Sequence, residues 1–204
     1  MTDKGSLIVI SAPSGTGKGA ILNEFNQKYF DDKIIYSISA TTRKPRPGEA
    51  DGVNYYFISK DEFKKKIADG GFLEYAEYCD NFYGTPKDAV MNALSNGIDV
   101  ILEIETVGAR NVKANYPEAV MVFVLPPSID ELRNRLTGRG TETAETIAKR
   151  LEAAKEELMI AGEYDYVLVN DIIEDAAYKL NTIIKAHRLK TINNKNTISE
   201  VLKK

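Results

Sequence analysis

The chain has 204 residues, 43% of them hydrophobic and 28% charged, which excludes wholesale disorder and suits one domain or one core carrying insertions. Its 27 basic residues against 30 acidic ones give a formal charge of -3, so no overall positive field exists for nucleic acid or an anionic membrane, and a polyanion must be met by a local cluster of cations. The lone Cys79 excludes an intrachain disulfide and a cysteine-built zinc site, which fits a reducing cytoplasm.

The apolar run Leu7 to Ile10 is too short for a signal-peptide core or a membrane span and reads as a buried strand. Ile21, Leu22, Phe25 and Tyr29 then recur with helical spacing. Between strand and helix lies APSGTGKGA, formed by Ala12, Pro13, Ser14, Gly15, Thr16, Gly17, Lys18, Gly19 and Ala20. This is the placement of a phosphate-binding loop: the glycines let backbone amides turn toward a phosphate, the helix start offers free N–H groups, and Lys18 adds a point charge. Two positions depart from GxxxxGK[ST]. Ala12 stands for the first glycine, and Gly19 for the hydroxyl residue that would hold magnesium.

Ile34 to Ser39 reads as a strand, followed by a loop rich in proline and glycine that carries Arg43 and Arg46. Tyr55 to Ile58 is a strand, Ser59 and Glu62 form a capping box for a short helix ending at Gly70-Gly71, and Phe72 to Tyr78 is a further strand. Asn81 to Thr85 reads as turn, with a helix opening near Pro86 and running to Asn96-Gly97. Ile98 to Glu105 and Val120 to Leu125 have the unbroken apolar character of parallel strands covered on both faces. Glu103 and Glu105, two apart at the end of the first of these, are the carboxylates placed to support a metal ion through water. Ser128 with Glu131 repeats the capping box before a helical hairpin bearing Arg133, Arg135, Arg139 and Arg150. Tyr166 to Val169 is a strand, Glu174 to Lys190 the last helix, and Thr191 to Lys204 a polar tail with no sustained period, expected to be loosely held.

Taken in order, SISATTRKPRPGEADGVNYYF, FLEYAEYCDNFYGTP, ILEIETVGA, LTGRGTE and YVLVND resemble the guanylate kinase family over residues 5 to 190. The resemblance implies an α/β three-layer P-loop kinase with a parallel central sheet, a mixed α+β GMP-binding insertion and a helical lid. The core is then 1–34, 91–125 and 164–190, the insertion 35–90, the lid 126–163 and the tail 191–204. It implies transfer of the ATP γ-phosphoryl group to GMP in purine nucleotide metabolism, with Mg2+ accompanying ATP. The small-molecule substrates are ATP and GMP, with no nucleic acid or membrane partner. Gly19 and Ala20 depart from the family's loop, and Glu103 and Glu105 stand where it carries acidic residues of either length.

GMP presents a dianionic phosphate and a guanine edge with N1–H and N2–H donors beside O6. Arg43 and Arg46 can fork onto that phosphate, Tyr55 and Tyr83 can add phenolic hydrogen bonds, and the resemblance assigns these four to it. Glu74 can accept from the two N–H groups, while Ser39 and Thr85 carry hydroxyls suited to O6; Glu105 joins this acceptor set. The resemblance makes Arg135, Arg139 and Arg150 the lid cations that steady the transferring group, and sets Arg139 and Asn170 near the adenine. Each residue also has a plainer reading: solvated loop charges, core-rim tyrosines, or lid arginines paired with Glu142, Glu145 and Glu152. A non-catalytic binding module and a kinase for another nucleoside monophosphate are the rival functions. His187 reads as a surface or packing residue, Arg133 as a solvated charge, and Cys79 as having no redox role.

Overall fold

The computed structural model describes residues 3–78, 80–138 and 143–203. Cys79, Arg139 and Glu142 lie outside the described residues. Strand β1 (Leu7–Ser11) is buried at every position, leads through the Gly-rich loop into α1 (Lys18–Lys28), and is followed by β2 (Ile34–Tyr36). The chain then leaves for a second sheet made of β3 (Ala40–Thr41), β4 (Tyr56–Phe57), β5 (Phe72–Tyr78) and β6 (Asn81–Pro86), with α2 (Lys60–Ala68) between β4 and β5. It returns by α3 (Lys87–Ser95) to β7 (Asp99–Glu103), α4 (Thr106–Asn115) and β8 (Val120–Leu125). A helical pair, α5 (Ile129–Thr137) and α6 (Ala144–Met159), and a 3-10 turn at Ile160–Glu163 precede β9 (Tyr166–Val169) and α7 (Ile173–Arg188).

The main sheet has the order β2-β7-β1-β8-β9 and every pairing in it is parallel. Alternation along β1 feeds two cores. Ile8 and Ile10 pack with Ile21, Phe25, Leu180 and Ile184 on the α1/α7 face, and Leu7 and Val9 pack with Val90, Leu94, Ala109 and Val112 on the α3/α4 face. Burying each such aliphatic chain contributes about 1.5–3 kcal/mol, which is why β1 tolerates no polar residue before Ser11. The carboxyl end of β1, between β7 and β8, is the crevice where open α/β sheets bind ligands.

The second sheet, ordered β4-β3-β6-β5, is mixed, and α2 covers it with Phe63, which stacks on Phe72 and Phe82 at 4.4 and 5.4 Å between ring centroids. The Ser59–Glu62 capping box forms as expected. Asn81–Pro86, expected to be turn, is instead a strand antiparallel to β5. Its turn-like residues have other causes: Asp80 at φ 60° makes the hairpin corner, and a Cβ on Gly84 would lie 3.0 Å from the Phe63 and Phe72 rings. The expected strand Ile34 to Ser39 stops at Tyr36, because the backbone changes sheets before Ala40. Ile98 to Glu105 likewise stops short, with Glu105 serving as N-cap of α4.

At α5 only half of the second capping box exists. Ser128 accepts from the Glu131 amide, while the Glu131 carboxylate turns to Arg135 Nε at 2.8 Å. The tail also departs from expectation: Thr191–Asn193 is a 3-10 turn and α8 spans Lys195–Leu202. The asparagines that read as breakers close α7 instead, with Asn193 Nδ2 donating to His187 O and Asn194 Nδ2 to Arg188 O. Thr197 Oγ1 then donates to Asp3 at 2.7 Å, tying α8 to the start of the chain.

Candidate active site

Gly15 and Gly17 take φ values of 90° and 87°, the left-handed region open to glycine, and Gly17 is the N-cap of α1. No side chain caps α1 and no acidic residue sits in its first turn, so its leading amides remain available to an anion. The loop is braced from within by Thr16 Oγ1 donating to Pro13 O at 2.9 Å, and from outside by Asn170 Nδ2 donating to Thr16 O at 2.7 Å. A Cβ on Gly17 would come within 2.3 Å of that Asn170 nitrogen. Gly19, by contrast, faces open space.

Lys18 Nζ stands 3.7 Å from Glu103 Oε1. Glu103 in turn lines a cavity of about 240 Å3 between the two sheets, together with Ser39, Tyr55, Glu74, Tyr83, Glu105 and Gly108. The loop lysine and most of the expected acceptor residues therefore meet at one place. Glu74 on β5 is only 5% exposed; its Oε1 accepts from Thr85 Oγ1 at 2.7 Å, and burial pushes its carboxyl above the usual range while the Thr85 bonds oppose the shift. Since a carboxylate cannot donate, the single Thr85 hydrogen is committed to Glu74. Thr85 as arranged serves the carboxylate, and of the two expected hydroxyl residues Ser39 is the one that lines the cavity.

Arg43 and Arg46 diverge. The Arg43 guanidinium lies against Tyr55 and Phe57, 5.4 and 5.8 Å from the ring centroids, beside the Tyr83 hydroxyl, and is held by Glu49. Arg46 is exposed on the loop, with its backbone N–H donating to Glu49 at 2.8 Å. Tyr55 and Tyr83 meet edge-on at 6.0 Å, and burial raises the Tyr55 phenol.

In the helical pair, Arg135 donates from Nη1 to Thr16 O at 3.1 Å and from Nη2 to Asn170 O at 3.0 Å, so it is clipped to the loop's backbone. Leu132 and Leu136 lie over Gly15. Asn170 is 2% exposed with its amide nitrogen on the loop, so its visible part is to support the loop rather than present an open face for a base. Arg150 lies half-buried on α6. Arg133 pairs outward with Asp130, as its solvated reading expects, and His187 is a buried packing residue.

Several site residues escaped the sequence reading. Glu157 on α6 is one: its Oε2 is buried without a hydrogen-bond partner among the described residues, and its carboxyl is raised by burial and by Glu105, against the opposing effect of Lys18. A carboxylate on a charged helix carries no signal in sequence. Gly108 is another, leaving room for Glu74 Oε2, which a Cβ there would approach to 2.9 Å. Glu49 is the third, and its place three residues after Arg46 in a Pro-rich loop was a readable sign of an arginine partner.

Among the described residues no cluster of three or more histidines, cysteines or acids could cage a metal ion. With Gly19 lacking a hydroxyl, the donor set fits an ion that is carried by nucleotide phosphates and touched by carboxylates through water. A second cavity, of about 490 Å3, lies at the amino ends of β8 and β9, lined by Lys113, Asp165, His187 and Lys190. Strand direction puts it at the opposite end of the sheet from the Gly-rich loop, so the smaller cavity is the one joined to the phosphate chemistry.

A parallel sheet with a phosphate loop at the carboxyl end of its central strand, facing an inserted mixed sheet, defines a P-loop α/β kinase. The guanylate kinase family model matches residues 4–187. Guanylate kinase of Clostridioides difficile is 51% identical over 200 residues, covering 98% of this chain and 97% of that protein. Guanylate kinase of Lactococcus lactis is 52% identical over 186 residues, 91% of this chain and 90% of that protein. The crystal structure of guanylate kinase from Anaplasma phagocytophilum superimposes with a TM-score of 0.74 at 33% identity, covering 94% of this chain and 90% of that one. The chain belongs to the guanylate kinase family.

Proposed function

We propose that this chain transfers the γ-phosphoryl group of ATP to GMP, producing ADP and GDP. The observation that carries this reading is the contact of Lys18 with Glu103 on the wall of a cavity that Glu74, held from behind by Thr85, also lines. A donor phosphate on the loop and an acceptor nucleotide in the cavity then face each other across a few ångströms.

In this reading the insertion is the GMP-binding part and α5–α6 the lid. Glu74 accepts from guanine N1–H and N2–H, and Ser39 donates to O6. Arg43, Arg46, Tyr55 and Tyr83 hold the phosphate, with Glu105 completing the acceptor wall. The α1 amides and the loop from Ala12 to Ala20 cradle the ATP phosphates. Lys18, Arg135, Arg139 and Arg150 balance charge on the transferring group, which passes in line between two oxygens and demands no general base. Mg2+ arriving with ATP would neutralise charge on the β- and γ-oxygens, with Glu103 and Glu105 reaching it through water. The setting is the cytoplasm; among the described residues no helix is long and apolar enough to cross a membrane.

A coupled assay offering GMP, AMP, CMP and UMP with ATP tests the reading. GDP formation from GMP alone is expected. Turnover of another monophosphate in preference to GMP overturns the substrate, and turnover of none favours a binding module.

A further inference from the structure

Arg43 has five N–H donors, and the structure shows where three of them go. Nη1 donates to Glu49 Oε2 at 2.9 Å and to Lys44 O at 2.8 Å, and Nη2 donates to Glu49 Oε1 at 2.9 Å. The guanidinium is thus gripped end-on by a bidentate carboxylate. What remains is the side-on edge, Nε–H with the second Nη2 hydrogen, which is itself a two-donor fork of the kind that matches two phosphate oxygens. The Tyr55 ring lies under this group, 5.4 Å from its centre, and the Tyr83 hydroxyl, a neutral partner, hydrogen-bonds to the guanidinium.

Glu49 is fixed from the backbone as well. Its Oε2 accepts the Arg46 amide at 2.8 Å, while its own amide donates to Arg46 O at 3.0 Å, so loop and carboxylate hold each other. Arg43, first, and the Arg46 amide, second, keep the carboxyl down at about 2, so Glu49 remains an ionised acceptor throughout the neutral range. Two roles are conceivable for a carboxylate gripping a phosphate-site arginine, and they predict opposite signs. A stand-in for the phosphate competes with the nucleotide and must let go when it binds. A brace stays in place and presents the free edge.

The geometry points to the brace: Glu49 is a positioning residue that orients the side-on edge of Arg43 toward the acceptor nucleotide's phosphate. The end-on grip and the side-on fork are compatible on one guanidinium, so Glu49 does not have to release Arg43 when the phosphate binds. The pair is also electrically balanced, which leaves the positive charge of the loop to Lys44 and Arg46 and makes the contribution of Arg43 one of direction more than net charge. This inference rests on the GMP reading of the cavity.

The test is a double-mutant cycle on the full-length protein, with GMP affinity measured by titration calorimetry for the wild type, Glu49→Gln, Arg43→Ala and the double variant. Glu49→Gln sets an amide N–H2 against an arginine donor, and GMP binding is expected to weaken about 10- to 100-fold. In the Arg43→Ala background the same change should cost less than about threefold, because the brace then has nothing to orient. Glu49→Asp, which keeps the charge on a shorter arm, should fall between wild type and Gln. Affinity for a non-hydrolysable ATP analogue should be the same in all variants, which a general loss of folding would not allow. Tighter GMP binding by Glu49→Gln would establish the stand-in and overturn the brace, and so would an equal loss in both backgrounds. If the wild type itself fails to bind GMP, the acceptor reading falls and this one with it, an outcome distinct from intact wild-type binding with an additive cycle.

Discussion

Glu74→Gln separates recognition of the base from every other part of the site. The carboxylate is 5% exposed, takes one hydrogen bond from Thr85 at 2.7 Å, and turns its other oxygen toward the space left by Gly108. Guanine N1–H and N2–H each donate to an ionised acceptor, a class of bond worth about 1.5–3 kcal/mol. The amide keeps one acceptor atom and sets a donor against the second N–H, so about 2–4 kcal/mol of transition-state stabilisation should be lost, or roughly 30- to 800-fold in kcat/KM for GMP. Discrimination against AMP should shrink in step.

The same carboxylate makes a pH prediction with a definite sign. Burial raises its folded pKa above the unfolded value, so its favourable share in stability is present below the unfolded pKa and is lost as pH rises through the folded one. At neutral pH and above, the ligand-free Gln variant should therefore be at least as resistant to urea as the wild type, and its loss of activity cannot be blamed on unfolding. For catalysis the ionised form is needed, so kcat/KM for GMP in the wild type should fall on the acid side at a pH above the ordinary carboxylate range, and this limb should vanish in the variant. A kcat/KM for GMP within threefold of wild type, with unchanged preference over AMP, would show that another group reads the base.

Lys18→Ala should leave the fold intact and lower turnover by at least about two to three orders of magnitude with little change in GMP affinity; near-normal turnover would remove Lys18 from the chemistry. Gly17→Ala forces a left-handed backbone and a 2.3 Å approach to Asn170 Nδ2, so a loss of about 2 kcal/mol or more in urea stability and weaker ATP binding are expected, and an unchanged unfolding curve would contradict the geometry. Gly19→Ser fills open space and supplies the missing hydroxyl, so calorimetry should show tighter ATP binding in the presence of magnesium and no change in its absence. Amide exchange in α5 and α6 should slow most when GMP and a non-hydrolysable ATP analogue are bound together, and equal exchange with and without both ligands would end the lid reading.

The core was legible because buried parallel strands are written as unbroken apolar runs, and LIVI and VMVFVL admit little else. Where residues act by their partners, the sequence was silent or misleading. Asn81, Gly84 and Pro86 are turn formers by type, yet Gly84 is there because two phenylalanine rings occupy the space of its Cβ. Asn193 and Asn194 look like breakers and are helix-end donors. The proposed acceptor residues could be named as a set because guanine and phosphate call for opposite charges side by side and because the family resemblance assigns them together. That Thr85 has already committed its hydrogen to Glu74, or that Arg43 is braced by Glu49, depends on distances between strands and loops that no spacing encodes.

Arg135 shows why the helical pair and the phosphate loop should be treated as one device. Three of its five donors are engaged, Nε on Glu131, Nη1 on Thr16 O and Nη2 on Asn170 O, which leaves one hydrogen on each Nη. Thr16 O also accepts from Asn170, so a single loop carbonyl joins α5, the end of β9 and the turn that precedes Lys18. A guanidinium fixed in this way by one carboxylate and two backbone carbonyls still has an Nη hydrogen to offer a charged phosphate oxygen without releasing the loop. On the proposed reading, nucleotide binding would therefore add to the hold of α5 on the loop instead of competing with it. Lysine at this position would keep the charge but not the planar fork, and the loop would lose its outer brace even while the phosphate kept a cation.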